Sequence, residues 1–432
     1  MATNHILLEI SYALIHNRLC FFTGAGFSKA ITNGEAPSWK DLLEKVCKNN
    51  DIEKDILEQD SLNLEEKAQL ISEKLKDKGK KKTIYNEISS IISSLNLSDD
   101  GIDSIKEFFS SRKFRVITTN YDKLTEKLIN NDYNSFSPGK PIPRIEAKVD
   151  IYHIHGSIDS PAHMVVTAED YFRFINYESY FSRKLSTSLH ENLVVILGYS
   201  LSDINLKAII NEYKGFSNNQ YIPINIIFIS REETSQYTKD YYLSCFGIRV
   251  IDSLEINDFF KELNIKIKEV IELKDKKIQD IKKVLYENYS YSIKYLKKVT
   301  SLFEIVSSIQ ALGVELSDEN VTNLLSDVLK KKMELTGNDG AWDQYYQLAL
   351  WLIYLNSIIY LKESKLRDII LEYTMISLSN CKKIGTWASP WEATKEWKYS
   401  WSNIIPDNRL IIREYAKKNL TNDFAKKNIL GI

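Results

Sequence analysis

Residues 20–30 read CFFTGAGFSKA: an apolar run enters a turn built on Gly24, Ala25 and Gly26, and Ser28 follows. A continuously apolar run is the pattern of a strand buried on both faces of a parallel sheet. Glycine accepts positive φ and lets a backbone approach a ligand closely. The N–H groups at a helix start attract phosphate. The stretch therefore predicts a strand–turn–helix unit able to cradle a dinucleotide pyrophosphate. It departs from the full Gly-x-Gly-x-x-Gly fingerprint, because Lys29 stands at the third glycine, and it lacks the Gly-Lys-Ser/Thr of a P-loop. A tight turn holding no ligand is the plain alternative.

Working outward, short apolar runs recur at 19–23, 114–119, 150–155, 164–167, 192–198, 225–230 and 248–252. Helical stretches lie between them, as βαβ crossovers require. Residues 1–255 thus read as a doubly wound, Rossmann-like α/β domain with a parallel sheet. Three helical patterns at about 39–112 read as an insertion over the carboxyl edge of the sheet. Residues 130–144 read as a loop, punctuated by Pro138, Gly139, Pro141 and Pro143. From 256 to 432 the spacing is helical throughout, which predicts an all-α C-terminal domain for assembly or regulation. Ser389 is expected to cap a helix that has Pro390 at its first position.

The composition is that of a soluble globular protein: 432 residues, 44% apolar, 27% charged, formal net charge −1. Nothing global attracts nucleic acid or an anionic membrane. Cys20, Cys47, Cys245 and Cys381 share no Cys-x-x-Cys spacing, which argues against a zinc ribbon or redox motif and fits a reducing cytoplasm. The start, MATNHILLEISYALIHNR, reads as an amphipathic helix, not a signal peptide. Tyr345–Leu361 is strongly apolar but holds Gln347, Asn356 and Ser357, and reads as a buried helix. Six of the seven tryptophans fall after residue 256, the content of a helical core or a helix–helix interface.

Three more strand ends carry polar groups. ITTNYDKL (117–124) offers Thr119, Asn120 and Asp122 where ligands bind in open α/β sheets. Asn120 and Asp122 can bond sugar hydroxyls or place a water; equally, either can cap the next helix. In DIYHIHGSI (150–158), strand alternation puts His153 and His155 on one face. A strand-end histidine is suited to general-base work near neutral pH. Metal ligation by the pair has only the isolated His163 as further support. VVILGYSLSD (194–203) ends a strand at Gly198, followed by Ser200 and Asp203, and can also be an ordinary capped turn.

GAGFS, TTNYD, HIHG and LGYSLSD stand in the order and rough spacing of a sirtuin-like domain. Over about residues 5–255 the chain resembles the bacterial sirtuin-like domains of antiphage defence proteins, which hydrolyse NAD. The resemblance implies that Gly24, Ala25, Gly26 and Ser28 hold the NAD phosphates. It places Asn120 and Asp122 by the nicotinamide ribose, with Thr119 among the binding residues. It makes His155 the catalytic base, leaves His153 to packing or support, and puts Gly198 and Ser200 on the ribose side. Protein deacylases of the family carry two Cys-x-x-Cys pairs for a structural zinc, and this chain has neither. Water is then the expected acceptor, and no metal is expected. The resemblance implies an NAD glycohydrolase acting in abortive infection; a deacylase or a non-catalytic NAD or ADP-ribose sensor are the alternatives. The two-part layout also resembles chains encoded beside a HerA-type ATPase. It implies a homo-oligomer larger than a dimer, gated by assembly, by that partner or by a phage-derived trigger.

Overall fold

The computed structural model describes residues 2–77, 82–129, 131–176, 180–200, 225–272, 281–287, 289–337, 341–386 and 390–432. Seven strands form one sheet: β1 (Leu19–Thr23), β2 (Phe114–Thr118), β3 (Tyr133–Phe136), β4 (Val149–His153), β5 (Leu193–Leu197), β6 (Ile226–Ile229) and β7 (Ile248–Ile251). Their order is β3-β4-β2-β1-β5-β6-β7, and every pairing is parallel. The chain builds one side of β1 through β2 and β4, then returns to the other side through β5. That reversal is a topological switch point, and it opens a crevice at the carboxyl ends of β1, β2 and β5.

Two apolar layers explain the unbroken apolar strands. Phe21, Val116, Ile151, Val195, Ile227 and Ile229 face one layer; Cys20, Phe22, Ile117, Val194, Ile196 and Phe228 face the other. Successive residues point to opposite faces, so a strand covered on both sides is apolar at most positions. The first layer is completed by α1 (Ala2–Ile15), α2 (Ala25–Ile31), α6 (Asp103–Ser111) and the helix Ile256–Ile271. At its centre the Phe21 ring meets Phe108, Phe114 and Phe260 at 5.4–5.5 Å between centroids. The second layer is covered by α9 (Tyr180–Glu191) and the helix Gln236–Phe246.

Between β1 and α6 lie α3 (Trp39–Asn49), α4 (Leu64–Asp77) and α5 (Ile84–Ile92), which share a small core with Tyr121, Met164 and Val166. Ser38 starts α3 with a capping box: its hydroxyl accepts the Asp41 amide, and the Asp41 carboxylate accepts the Ser38 amide. This group sits over the carboxyl edge of the sheet.

Two local readings are corrected. Residues 164–167 form no strand: the Val165 amide donates to the His155 carbonyl, and the Val165 carbonyl accepts the Tyr121 hydroxyl. The predicted loop at 130–144 contains the edge strand β3, whose four residues alternate in burial as a one-sided edge does.

The rest is helical. Its core gathers Trp351, Trp397, Leu325, Leu352, Leu355 and many others, with Leu8 and Tyr12 of α1 joining from the sheet side. The apolar run around Trp351 is the helix Trp342–Ile358, largely buried. Among the described residues no helix is long and apolar enough to cross a membrane. Helix α1 is not amphipathic as expected; it lies between two cores and is buried on nearly all sides. Its single buried acid, Glu9, receives two bonds from Arg249 of β7, at 3.0 and 2.6 Å, and one from the Tyr354 hydroxyl at 2.8 Å. The helix after Ser389 begins at Trp391 with Pro390 as its cap residue; Ser389 and Trp387 lie outside the described residues.

Candidate active site

The glycines of GAGFS are explained first by the neighbouring strand. The Gly24 amide donates to the Leu197 carbonyl at 3.0 Å, the Gly26 amide to the Gly198 carbonyl at 2.9 Å, and the Phe27 amide to the Gly24 carbonyl at 2.9 Å. A Cβ on Gly26 would lie 2.8 Å from Gly198 Cα, and one on Gly198, at φ 71°, would lie 2.0 Å from the Phe27 amide nitrogen. The close approach that demands glycine is therefore between the ends of β1 and β5. Of the residues expected to hold the phosphates, Gly24 and Gly26 have their amides engaged by protein carbonyls.

Above this contact is a cleft of about 240 Å³. Ala25, Ser28, Thr119, Asn120, Asp122, His155, Gly198 and Ser200 all line it, so four separate strand ends converge on one space. Gly24 and Gly26 are not in its lining; they stand behind it as backbone support. Asp203 lies outside the described residues.

A relay of hydrogen bonds fixes Asn120. Its side-chain nitrogen donates to the Gly24 carbonyl at 2.9 Å and to Ser28 Oγ at 2.8 Å. A carbonyl only accepts, so the amide nitrogen must face Gly24. The Ser28 hydroxyl donates onward to Asp122 Oδ2 at 2.7 Å, and Asp122 Oδ1 accepts the Leu124 amide at 3.0 Å. Both amide protons of Asn120 are thereby committed, and Oδ1 remains for a ligand. Ser28 and Asp122, expected to touch phosphate and ribose, have their main bonds within this relay. Burial raises the Asp122 carboxyl above its usual range, although the Ser28 and Leu124 bonds oppose it.

His155 is nearly sealed, at 3% exposure, and the edges of its ring environment are aromatic. Tyr171 and Phe174 meet it edge-on, with centroids at 5.2 and 5.0 Å. Burial lowers its pKa from 6.5 to about 3, so the imidazole is neutral at physiological pH and carries a free lone pair. His153 is separated from it. Strand β4 ends at His153, so alternation no longer relates the two rings. His153 Nδ1 faces the Asn120 carbonyl at 3.0 Å and Nε2 faces Glu126 Oε1 at 2.8 Å, which leaves neither nitrogen for a metal. His163 lies apart, its Nδ1 bonded to Ser160 at 2.8 Å. Among the described residues no group of three or more His, Cys, Asp or Glu could hold a metal ion.

Other cleft residues were not singled out from the sequence. Tyr199 shares a 2.5 Å hydrogen bond with Thr119, stacks on Phe22 at 4.9 Å, and lies against Gly24. Its only sequence signal was its place between Gly198 and Ser200. Trp39, Leu42 and Glu65 come from the inserted helices, and Tyr171 from α8 (Ala168–Asn176). Their approach depends on tertiary folding, and no local motif marks them.

Residues 115–251 match the model of the SIR2-like domain, a span that includes Asn120, Asp122, His155, Gly198 and Ser200 and excludes the glycine turn. The NAD(+) hydrolase ThsA of Enterococcus faecium is 26% identical over 257 residues, covering 51% of this chain and 52% of that protein. The chain thus spans about half the length of that curated relative.

Proposed function

We propose that the chain hydrolyses NAD to nicotinamide and ADP-ribose in the cleft at the β1–β5 switch point. The observation that carries this reading is the convergence of a buried neutral His155 with an Asn120 whose amide is fixed by two donated bonds. The SIR2-like match and the similarity to an NAD(+) hydrolase support it. The bond between ribose C1′ and the pyridinium nitrogen breaks, and its electron pair neutralises the departing nicotinamide. That leaving group needs no acid. A water oxygen bonds to C1′ and its proton passes to His155. Asn120 Oδ1 accepts from the water or a ribose hydroxyl. Asp122 and Ser28 hold Asn120, while Thr119, Tyr199, Ala25, Gly198 and Ser200 form the cleft wall against the dinucleotide.

Uncontrolled cleavage would exhaust the cell's NAD, so the activity is gated. The gate is assembly into a homo-oligomer larger than a dimer, through the helical region of residues 256–432. Exposed Trp342, Trp391 and Tyr399 there support such a surface. The two-part layout supports a HerA-type ATPase partner, the resemblance to defence sirtuins supports an antiphage role with a phage-derived trigger, and the cysteine usage supports a cytoplasmic location. Incubating purified protein with NAD and resolving the products tests the chemistry: nicotinamide and ADP-ribose in equal amounts are expected, and intact NAD would refute it.

A further inference from the structure

Behind Asn120 lies a second, buried layer of polar groups that the reaction itself does not use. His153, with no exposed surface, bridges the Asn120 carbonyl and Glu126 Oε1. Glu126 Oε1 also accepts Lys123 Nζ at 3.0 Å and Ser135 Oγ at 2.7 Å, while its Oε2 is buried without a partner. Lys123 Nζ reaches Ser135 Oγ at 2.8 Å and Asp159 at 3.0 Å. The network thus ties the loop after β2, the edge strand β3 and the loop after His155 to one imidazole. Burial alone would raise the Glu126 carboxyl, but His153 and then Lys123 outweigh it and hold it well below the usual range. A buried charged network of this kind is costly to assemble.

We infer that His153, held by Glu126, is a positioning residue that sets the height of the Asn120 carbonyl and so aims the Asn120 side chain at the reacting ribose. The inference rests on the NAD-cleaving reading. His153 is one residue short of the turn that carries His155, and it is paired in register with Thr118 of β2. One ring therefore fixes the separation between the Asn120 loop and the base. Misplacement by about 1 Å at such a site costs about 10²-fold in rate.

Two substitutions separate this from a merely structural charge pair. The side-chain nitrogen of Asn falls near imidazole Nδ1, and that of Gln near Nε2. His153→Asn keeps the donor to Asn120 and loses Glu126; His153→Gln keeps Glu126 and loses Asn120. Steady-state NAD cleavage by the full chain should show a kcat for His153→Asn at least about tenfold above that of His153→Gln, with KM changed less than about threefold in both. The reverse order, or equal values, would overturn the inference while leaving the NAD reading intact. Should His153→Gln fail to fold by circular dichroism, Glu126→Gln decides: kcat should fall about tenfold at constant KM, and a wild-type kcat would overturn the inference. A wild-type protein that does not cleave NAD removes the reading and this inference with it.

Discussion

At the scale of single residues, His155 carries the heaviest expectation. His155→Ala should lower NAD cleavage by about 10²- to 10⁴-fold, the usual loss for a general base. The fold should survive, which a melting curve checks. Because His155 titrates near 3 in the folded chain, it stays neutral through the physiological range. The kcat/KM profile should therefore stay flat from about pH 8 down to about pH 5, with no acid limb near the value of an ordinary histidine. Stability follows the same lowered value. Between 6.5 and about 3 the unfolded chain binds the proton and the folded one does not, so stability is full above 6.5 and falls as pH drops through that window. His155→Gln should flatten that part of the stability curve, as read by urea unfolding at several pH values. Gly198 is the sharpest backbone constraint. Gly198→Ala meets both a positive φ and the Phe27 amide, and should cost at least about 1–3 kcal/mol with loss of NAD binding. Calorimetry and denaturant titration of that variant check it.

At the scale of elements, the Glu9–Arg249 pair joins α1 to the edge strand β7, and Tyr354 adds the C-terminal helices. Breaking a buried pair by removing one partner leaves an uncompensated charge. Glu9→Gln should cost about 3–5 kcal/mol, and Tyr354→Phe less, about 1.5–3 kcal/mol for a bond to a charged group; equal losses in denaturant titrations would contradict the account. Elements whose burial is two-sided were legible in the sequence. Strands β5 and β6 are unbroken apolar runs and β1 is apolar up to Thr23, because helices cover both faces, while β2 and β7 each carry one arginine, Arg115 and Arg249. The run at 164–167 looked the same, yet its backbone bonds go to His155 and Tyr121, a matter of position that composition does not encode. Strand β3 was hidden because four residues before Pro138 read as loop. In the site, Asn120 and His155 were readable because strand-end polar residues face the crevice. The Ser28–Asp122 bond joins residues 94 apart in sequence, and the cleft roof comes from inserted helices. Neither leaves a local pattern. The glycine turn was readable as a close approach, but the partner is the β5 end.

At the scale of the whole molecule, the two layers are interlocked. The helix Ile256–Ile271 places Phe259, Phe260, Leu263 and Ile267 in the sheet core, each fully buried. Each contributes about 1.5–3 kcal/mol, against a typical net stability of about 5–15 kcal/mol. A chain cut after residue 255 should therefore fail to fold, whereas one ending at residue 272 keeps those side chains; circular dichroism and protease resistance distinguish them. Assembly is read by light scattering on the full chain, where a species larger than a dimer is expected and a strictly monomeric, unregulated enzyme would contradict the gating proposal. The central claim is that the switch-point cleft cleaves NAD with His155 as base. Its most direct test is chromatography of NAD incubated with the assembled wild-type protein, His153→Ala and His155→Ala in parallel. The account predicts nicotinamide and ADP-ribose in equal amounts from wild type, reduced amounts from His153→Ala, and next to none from a folded His155→Ala. Intact NAD with the wild type, or full cleavage by His155→Ala, would contradict it.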